Sequence, residues 1–176
     1  MERYQGKKAV IIGGTSGMGL ATAKMLLDGG ARVLVTGLSK AGLESAQKEI
    51  GKHAIVVPSD ARSLTDIDAL ASRVEAEFDS FDLLSVSAGF STPTPLENVT
   101  AAVYDEMFNL NAKGPFFAVQ KLAPLMNRGG AVVLTTSVAN VKALPGTHME
   151  PPRLRCDHSL GRSPSSCFLG KFASTR

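Results

Sequence analysis

The sequence predicts an α/β domain whose parallel sheet carries helices on both faces, and three observations support this fold class. Five short apolar segments alternate with segments whose apolar residues recur at helical spacing. Glycines follow the first apolar segment and open the first helix. The 176 residues, 44% hydrophobic and 20% charged, suit one soluble domain. We therefore expect a doubly wound, Rossmann-like sheet with strand order 3-2-1-4-5.

Each expected strand is a run of apolar residues, and turn residues separate the runs. The strands are expected at residues 8–12, 32–36, 53–57, 82–86 and 131–136. The first helix follows the glycines and ends at Gly29-Gly30. Later helices are expected at residues 40–50, at 64–78, and as one or two segments within 99–127, broken near Asn111–Pro115.

The glycine-rich turn after the first strand is the strongest local indication of a ligand site. Gly13, Gly17 and Gly19 have the spacing GxxxGxG between a strand and a helix. Glycines allow the backbone to approach a pyrophosphate, and the helix N-terminus offers free N–H groups. The alternative interpretation is a glycine-rich turn with no ligand.

The residues after the second strand bear on the choice between NAD and NADP. Dinucleotide folds often place an acid there for the adenosine ribose, but this chain has Gly37. The absence of an acid favours NADP, with Ser16, Ser39 and Lys40 as candidate contacts of the 2′-phosphate. Each of these three could equally be a solvated surface residue.

Charge and composition divide the chain into residues 1–147 and a basic tail at 148–176. The tail carries the whole net charge of +3 and both cysteines, and it has no Val or Ile. This composition predicts an aberrant, disordered segment rather than a folded element. The charge distribution therefore gives poor support for nucleic-acid binding.

Membrane, secretory and metal-binding functions find no support in the sequence. No apolar run approaches the ~18 residues that a membrane span requires. The first apolar run is too short for a signal peptide, so we expect a cytoplasmic protein. His53, His148 and His158 lack metal-ligand spacing.

Five motifs occur in an order and spacing that resemble the short-chain dehydrogenase/reductase family, closest to its classical type. They are GGTSGMG at 13–19, Asp60, SAG at 87–89, NAKG at 111–114 and TTSVAN at 135–140. The resemblance covers residues 7–147. It implies an NAD(P)-dependent oxidoreductase that transfers hydride between nicotinamide and a small carbonyl or alcohol substrate.

The resemblance also implies roles for individual residues. Ser137 would hydrogen-bond the substrate oxygen, and Asn111 would organise a proton-relay water. Asp60 and Ala61 would hold the adenine ring. The remaining cofactor contacts would be Gly13, Thr15, Ser16, Gly17, Met18, Gly19, Leu38, Ser87, Ala88 and Gly89.

The chain departs from the family pattern at several positions. Ile12, Leu38 and Ser87 stand where the family commonly has Thr, Arg and Asn. More importantly, the Tyr-x-x-x-Lys box that should follow Ser137 is absent, and the region holds His148–Pro152 instead. The sequence therefore predicts an inactive or impaired oxidoreductase.

Two other functions stay open at this stage: a non-catalytic NAD(P)-binding module, and an interaction protein whose basic tail binds an acidic partner. Intact relatives would form homo-oligomers through a helix that this tail does not supply. The sheet is also expected to be incomplete at its C-terminal edge, leaving the fifth strand unprotected.

The tail has an interpretation that the genetic code itself suggests. Back-translated from His148 and read from the third base of each codon, it can encode YGATKAAVRSLARTLAVELLPREIRVN. The sequence in the shifted frame contains the missing Tyr-x-x-x-Lys box. A segment with helical periodicity follows the box, and the last residues are typical of a strand. We interpret residues from about 148 onward as a frameshifted reading of a reductase gene, with a genuine lineage-specific tail as the alternative.

The encoding DNA tests this interpretation directly. Sequencing across the codons for residues 140–176 should reveal TAT-GGN-GCN-ACN-AAG in the shifted frame, with one base gained or lost upstream. If the codons from His148 onward do not contain this sequence in the shifted frame, the frameshift hypothesis is wrong.

Overall fold

The computed structural model describes residues 3–92, 94–137 and 166–169, which form one six-stranded sheet flanked by helices. The strands lie in the order β3-β2-β1-β4-β5-β6. Neighbours from β3 to β5 are parallel, which confirms the predicted order 3-2-1-4-5. The strands are β1 (Lys8–Ile12), β2 (Arg32–Gly37), β3 (Ala54–Pro58), β4 (Phe81–Val86), β5 (Met126–Thr135) and β6 (Ser166–Leu169).

The helices follow the predicted order with one correction. No break occurs near Asn111–Pro115, because a π-helical turn at Asn109–Lys113 joins two helices into one continuous segment. No helix among the residues that the structure describes has the length and apolar character needed to cross a bilayer. The helices are α1 (Gly17–Asp28), α2 (Lys40–Ile50), α3 (Leu64–Phe78), α4 (Ala101–Phe108) and α5 (Gly114–Leu122).

Polar side chains fix where three of these helices begin. Ser39 accepts a hydrogen bond from the Gly42 N–H, and Ser63 accepts one from the Asp66 N–H. Thr100 does the same at the start of α4. Each cap satisfies a backbone donor that the first helical turn leaves without an intrahelical partner.

The sheet has an apolar layer on each face, as a doubly wound fold requires. On one face, β1, β4 and β5 pack against α3 and α5, with Phe78, Phe81 and Leu122 in this layer. On the other face, β1 and β2 pack against α1 and α2. The first layer is the larger and contains the bulkiest buried side chains.

Asp82 holds the amino ends of three strands together. Its carboxylate accepts hydrogen bonds from the Lys8 N–H at 3.0 Å, from the Lys7 ammonium at 3.0 Å and from the Asn127 amide at 3.2 Å. Burial acts to raise the pKa of Asp82, but these hydrogen bonds outweigh it and the pKa is lowered. This ion cluster lies at the edge of the sheet opposite the glycine-rich turn.

The expectation of an unprotected fifth strand is wrong. β6 lies antiparallel to β5, with Val132 opposite Leu169 and Thr135 opposite Ser166. That expectation rested on the absence of the family's later strands, and it failed because strand pairing uses backbone N–H and C=O groups, which every non-proline residue supplies. Residues 138–165 and 170–176 lie outside the described residues, so the prediction for the rest of the tail stays a prediction.

The apolar layer that contains Phe78, Phe81 and Leu122 should contribute most to the stability of this fold. Phe81, the first residue of β4, is fully buried, so Phe81→Ala should lower the free energy of unfolding by about 3–5 kcal/mol through lost burial and a residual cavity. Phe116→Ala is the matched control, because Phe116 is 52% exposed. Urea unfolding followed by circular dichroism measures both variants, and equal losses would contradict this assignment of the core.

Candidate cofactor site

The loops that follow β1, β2, β3 and β4 meet at the carboxyl edge of the sheet and surround a cavity of about 430 Å³. Backbone hydrogen bonds continue between these loops beyond the strands. The Gly14 N–H donates to the Thr36 carbonyl at 2.9 Å, and the Ser59 N–H donates to the Gly37 carbonyl at 3.0 Å. The cavity therefore has a preformed backbone frame, at the position where open α/β sheets bind ligands.

The glycine-rich turn forms the floor of this cavity through very close backbone packing. A Cβ on Gly13, whose φ is +79°, would lie 2.5 Å from the Ala88 nitrogen. A Cβ on Gly19 would lie 2.2 Å from the Gly13 carbonyl oxygen. Any larger residue at either position would displace backbone, so the turn keeps its shape only with glycine.

The N-terminus of α1 opens into the cavity beside this turn. Thr15, Ser16, Gly17 and Met18 all line the cavity, and the Ser16 side chain makes no capping hydrogen bond. The first N–H groups of a helix carry partial positive charge and attract anions. This arrangement fits the pyrophosphate of a dinucleotide.

The residues after β2 lie at one end of the cavity. Gly37 and Leu38 line it, and the Leu38 side chain is 61% exposed. Ser39 and Lys40, the other candidate contacts of a 2′-phosphate, are not among the lining residues, and the Ser39 hydroxyl caps α2. The structure thus places an exposed apolar side chain, and no carboxylate, where β2 ends.

Asp60, Ala61 and Arg62 line the cavity; the role of Asp60 and Ala61 in holding an adenine ring stays a prediction. The Arg62 guanidinium binds the Asp60 carboxylate through two nitrogens, with Nε 2.9 Å from Oδ1 and Nη2 2.8 Å from Oδ2. The hydrogen bonds from the Arg62 side chain are the main reason that the pKa of Asp60 is lowered. Asp60 is therefore a charged acceptor at neutral pH.

Sequence reasoning missed Arg62 and Glu106, which lie together at this wall of the cavity. Arg62 Nη1 is 3.3 Å from Glu106 Oε1, so the pair joins the loop after β3 to α4. The sequence could have indicated Arg62 as a site residue through its position two residues after Asp60. Glu106 lies one helical turn before Leu110, which also lines the cavity.

Ser87, Ala88 and Gly89, which follow β4, line the cavity, and their contact with a cofactor stays a prediction. The Ser87 hydroxyl lies 3.5 Å from the Ser85 hydroxyl and 3.4 Å from the Thr135 hydroxyl. These contacts form a polar bridge between the ends of β4 and β5. Serine thus gives this position a local hydrogen-bonding role on the sheet edge.

Asn111 is 4% exposed and sits in the π-helical turn. Its amide nitrogen donates to the Phe90 carbonyl at 2.7 Å, and its amide oxygen accepts from the Phe90 N–H at 3.0 Å. The side chain therefore holds the loop after β4 against the α4–α5 segment. Its predicted role in organising a water stays a prediction.

Ser137 follows β5 by two residues and is partly buried. It does not line the 430 Å³ cavity; its neighbours Thr135 and Thr136 line a smaller one beside Asn111. Both tyrosines lie elsewhere: Tyr4 packs against Gly29, and the Tyr104 ring stacks on Phe108 at 4.1 Å. The substrate role of Ser137 stays a prediction, and the positions that would hold the Tyr-x-x-x-Lys box lie outside the described residues.

Comparison with known proteins identifies the lineage of this site. The sequence profile of the short chain dehydrogenase family matches residues 7–149. The chain belongs to that family. It is 35% identical over 147 residues to oxidoreductase asL5 of Sarocladium schorii, a match that covers 82% of this chain and 59% of that protein.

Further relatives agree with this membership. Galactitol 2-dehydrogenase of Agrobacterium fabrum is 31% identical over 140 residues, covering 78% of this chain and 55% of the relative. This family member therefore spans less than two thirds of the length of these curated relatives. A short-chain alcohol dehydrogenase structure from Sinorhizobium meliloti, described as putative in its own name, superposes with a TM-score of 0.77 at 27% identity, covering 84% of this chain and 60% of that one.

A short-chain dehydrogenase/reductase structure from Brucella melitensis supports the fold alone, because its sequence identity is 22%. It superposes with a TM-score of 0.78 and covers 82% of this chain and 63% of its own. The family comparison and the sheet order therefore agree on a Rossmann-like short-chain dehydrogenase domain.

The Asp60–Arg62 pair should make stability depend on pH in the acid range. A lowered pKa in the folded state stabilises the protein above the unfolded pKa, and this contribution is lost as pH falls through the folded pKa. Asp60→Asn should therefore reduce the free energy of unfolding by about 1 kcal/mol near neutral pH and by clearly less at about pH 3.

Chemical denaturation at the two pH values measures this difference. The control is Asp68→Asn, which removes the same charge from the exposed Lys121–Asp68 pair. We expect that variant to change stability little at neutral pH. A loss for Asp60→Asn that is equal at both pH values would contradict the assigned ion pair.

Proposed function

We propose that this chain binds NAD(P) as the cofactor domain of a short-chain dehydrogenase/reductase. The observation that carries the proposal is the single cavity shared by the glycine-rich turn, the N-terminus of α1 and Asp60. One end offers N–H donors to a pyrophosphate, and the other offers a carboxylate to a donor on the base. Both ends of a dinucleotide's adenosine diphosphate half thus meet complementary groups.

The proposed cofactor is NADP rather than NAD. β2 ends in Gly37, and Leu38 follows it, so no carboxylate is present there to accept hydrogen bonds from a ribose 2′-hydroxyl. An acid at that position would also repel a 2′-phosphate. Thr15 and Ser16 supply neutral hydroxyl groups at the cavity.

The family reaction would use residues beyond the cofactor cavity. When bound, the reduced nicotinamide supplies a hydride to a carbonyl carbon. Ser137 would donate a hydrogen bond to the substrate oxygen, and in the family the tyrosine of the Tyr-x-x-x-Lys box would deliver the proton that completes the alcohol. The substrate class is a small carbonyl or alcohol compound, as the name of the galactitol dehydrogenase relative also indicates for that protein.

We expect turnover to be impaired in the chain as written. The sequence contains no tyrosine with a lysine four positions later. A general acid that is positioned to protonate the substrate oxygen typically accelerates the reaction by about 10²–10⁴-fold. A frameshift near residue 148 would account for this loss, and the frame-restored protein would then be the active dehydrogenase.

A second candidate function is a non-catalytic NAD(P)-binding module. Two observations together favour it. The cavity offers groups that could contact both the phosphates and the base of a dinucleotide, but the sequence lacks the Tyr-x-x-x-Lys box. A soluble, monodisperse chain that binds cofactor without turnover would favour the module. A gene that contains the shifted frame would favour the impaired oxidoreductase.

Titration of NADPH fluorescence with the full chain tests the proposal. We expect saturable binding, which Gly19→Ala should weaken at least about tenfold because the added Cβ would displace the Gly13 carbonyl. Gly51→Ala is the control: Gly51 has a positive φ, unlike Gly19, but it lies outside the cavity in the turn after α2, where a Cβ would meet open space.

The same samples should show no normal turnover with NADPH and a panel of diketones and ketoesters. Saturable binding without turnover supports the proposal. Absence of NADPH and NADH binding by the folded chain would overturn it, and normal turnover would contradict the predicted loss of the general acid.

A further inference from the structure

A second cavity lies at the amino edge of the sheet, away from the glycine-rich turn. Its volume is about 410 Å³, and its walls come from the start of β2, the segment around the start of β3 and the end of α3. Three of the side chains that line it are basic: Arg32, Lys52 and His53. This amino-edge cavity has no lining residue in common with the candidate cofactor cavity.

The register of β2 against β3 brings two of these basic residues together. Val33 lies opposite Ala54 in this parallel pair, and Arg32 and His53 directly precede those two residues. Side chains two positions apart on a strand point to the same face, and Leu34 belongs to the apolar layer under α3. Arg32 therefore faces α3, and His53 reaches the same cavity from the turn before β3.

The end of α3 holds the Arg32 guanidinium in place. Its central carbon lies 5.1 Å from the centre of the Phe78 ring, which is within cation–π distance. Arg32 Nη2 donates to the Glu77 carbonyl at 3.4 Å. A guanidinium has five N–H donors, and Arg32 forms no ion pair among the described residues. Arg32 is therefore an oriented cation with donors to offer a ligand.

The turn that carries Lys52 and His53 is also fixed. It spans Gly51–His53, and the Gln47 side-chain amide donates to the Gly51 carbonyl at 2.6 Å. In the part of the chain that the structure describes, neither Lys52 nor His53 pairs with a carboxylate. The lysine ammonium and an imidazole N–H are therefore available as donors.

The acid on the described walls of this cavity already has a cationic partner. Glu77 Oε1 lies 2.8 Å from Arg73 Nη2, one helical turn earlier on α3. The cavity thus combines the positive charges of Arg32 and Lys52 with a carboxylate that is neutralised from outside. An anion with several acceptor oxygens complements this set, because a guanidinium fork and an ammonium both bind phosphate oxygens.

We propose that the amino-edge cavity binds a small phosphomonoester. Arg32 and Lys52 bind the phosphate oxygens, and His53 donates a further hydrogen bond. The volume falls within the range of about 300–1,000 Å³ that is typical of ligand pockets, so a small organic group can lie beside the phosphate, against Ile55. The proposal does not depend on NAD(P) binding, because different residues line the two cavities.

Phosphorus NMR titration with phenyl phosphate tests this site. The full chain is titrated in excess NADPH, which keeps the probe out of the cofactor cavity, at about pH 7.5, where a phosphomonoester is mostly a dianion. We expect saturable binding with a dissociation constant below about 1 mM. Arg32→Gln and Lys52→Gln should each raise that constant at least about fivefold, because each removes a charge-assisted contact.

Two further variants make the test specific. Lys48→Gln removes an exposed positive charge from the last turn of α2, outside the cavity, and should leave the dissociation constant unchanged. Glu77→Gln removes the carboxylate from the wall and should lower the constant about two- to threefold. Changes in opposite directions for Lys52→Gln and Glu77→Gln would not arise from a merely structural role of these residues.

The outcomes decide the proposal separately from cofactor binding, which NADPH fluorescence reports on the same samples. Saturable binding that is weakened in Lys52→Gln and kept in Lys48→Gln would support the phosphate site. Absence of saturable binding by the folded chain would overturn it. Equal losses in Lys48→Gln and Lys52→Gln would also overturn it, because they would indicate general attraction to a basic surface. If Arg32→Gln does not fold, Lys52→Gln and Glu77→Gln still give the answer.

Discussion

The close approach of β1 and β4 just beyond their ends is the constraint on which the site depends. The Ile12 carbonyl accepts hydrogen bonds from the Ser87 N–H at 2.8 Å and the Ala88 N–H at 3.0 Å. The chain can pass this point only because Gly13 has no side chain to meet Ala88. α1 then starts at a fixed place above the strand ends, where its free N–H groups face the cavity.

The polar groups around the cavity divide into two kinds with different physical roles. Backbone N–H groups at the glycine-rich turn are fixed by the fold and cannot titrate or rotate. At the part of the cavity proposed for the base, the Asp60 side chain could rotate, and the two hydrogen bonds from the Arg62 guanidinium restrict that rotation. In the proposed binding mode, the pyrophosphate would therefore meet main-chain groups, whereas the base would meet a side chain held in an ion pair.

The sequence was informative where local patterns determine structure. The predicted helices at 40–50 and 64–78 match α2 and α3, because apolar periodicity and the caps at Ser39 and Ser63 are all local. The glycines of the turn followed from their spacing between a strand and a helix, whereas Asp60 and Ala88 were implied by the family resemblance, and all of them line the cavity. The Arg62–Glu106 contact joins residues 44 positions apart, and no local pattern indicates that pairing. The π-helical turn was missed because its stabilising contact, from Asn111 to Phe90, is also nonlocal.

The proposed cofactor contacts and the proton donor that the family would use lie in different parts of the sequence. The groups that line the cofactor cavity all precede Leu110 or include it, so they fold from β1 to the π-helical turn. The Tyr-x-x-x-Lys box of the family would follow Ser137, in a region of the sequence that contributes nothing to that cavity's described walls. A frameshift near residue 148 would therefore remove the acid and leave the described walls of that cavity unchanged. We therefore expect that cofactor binding can persist without turnover, whereas turnover always requires binding.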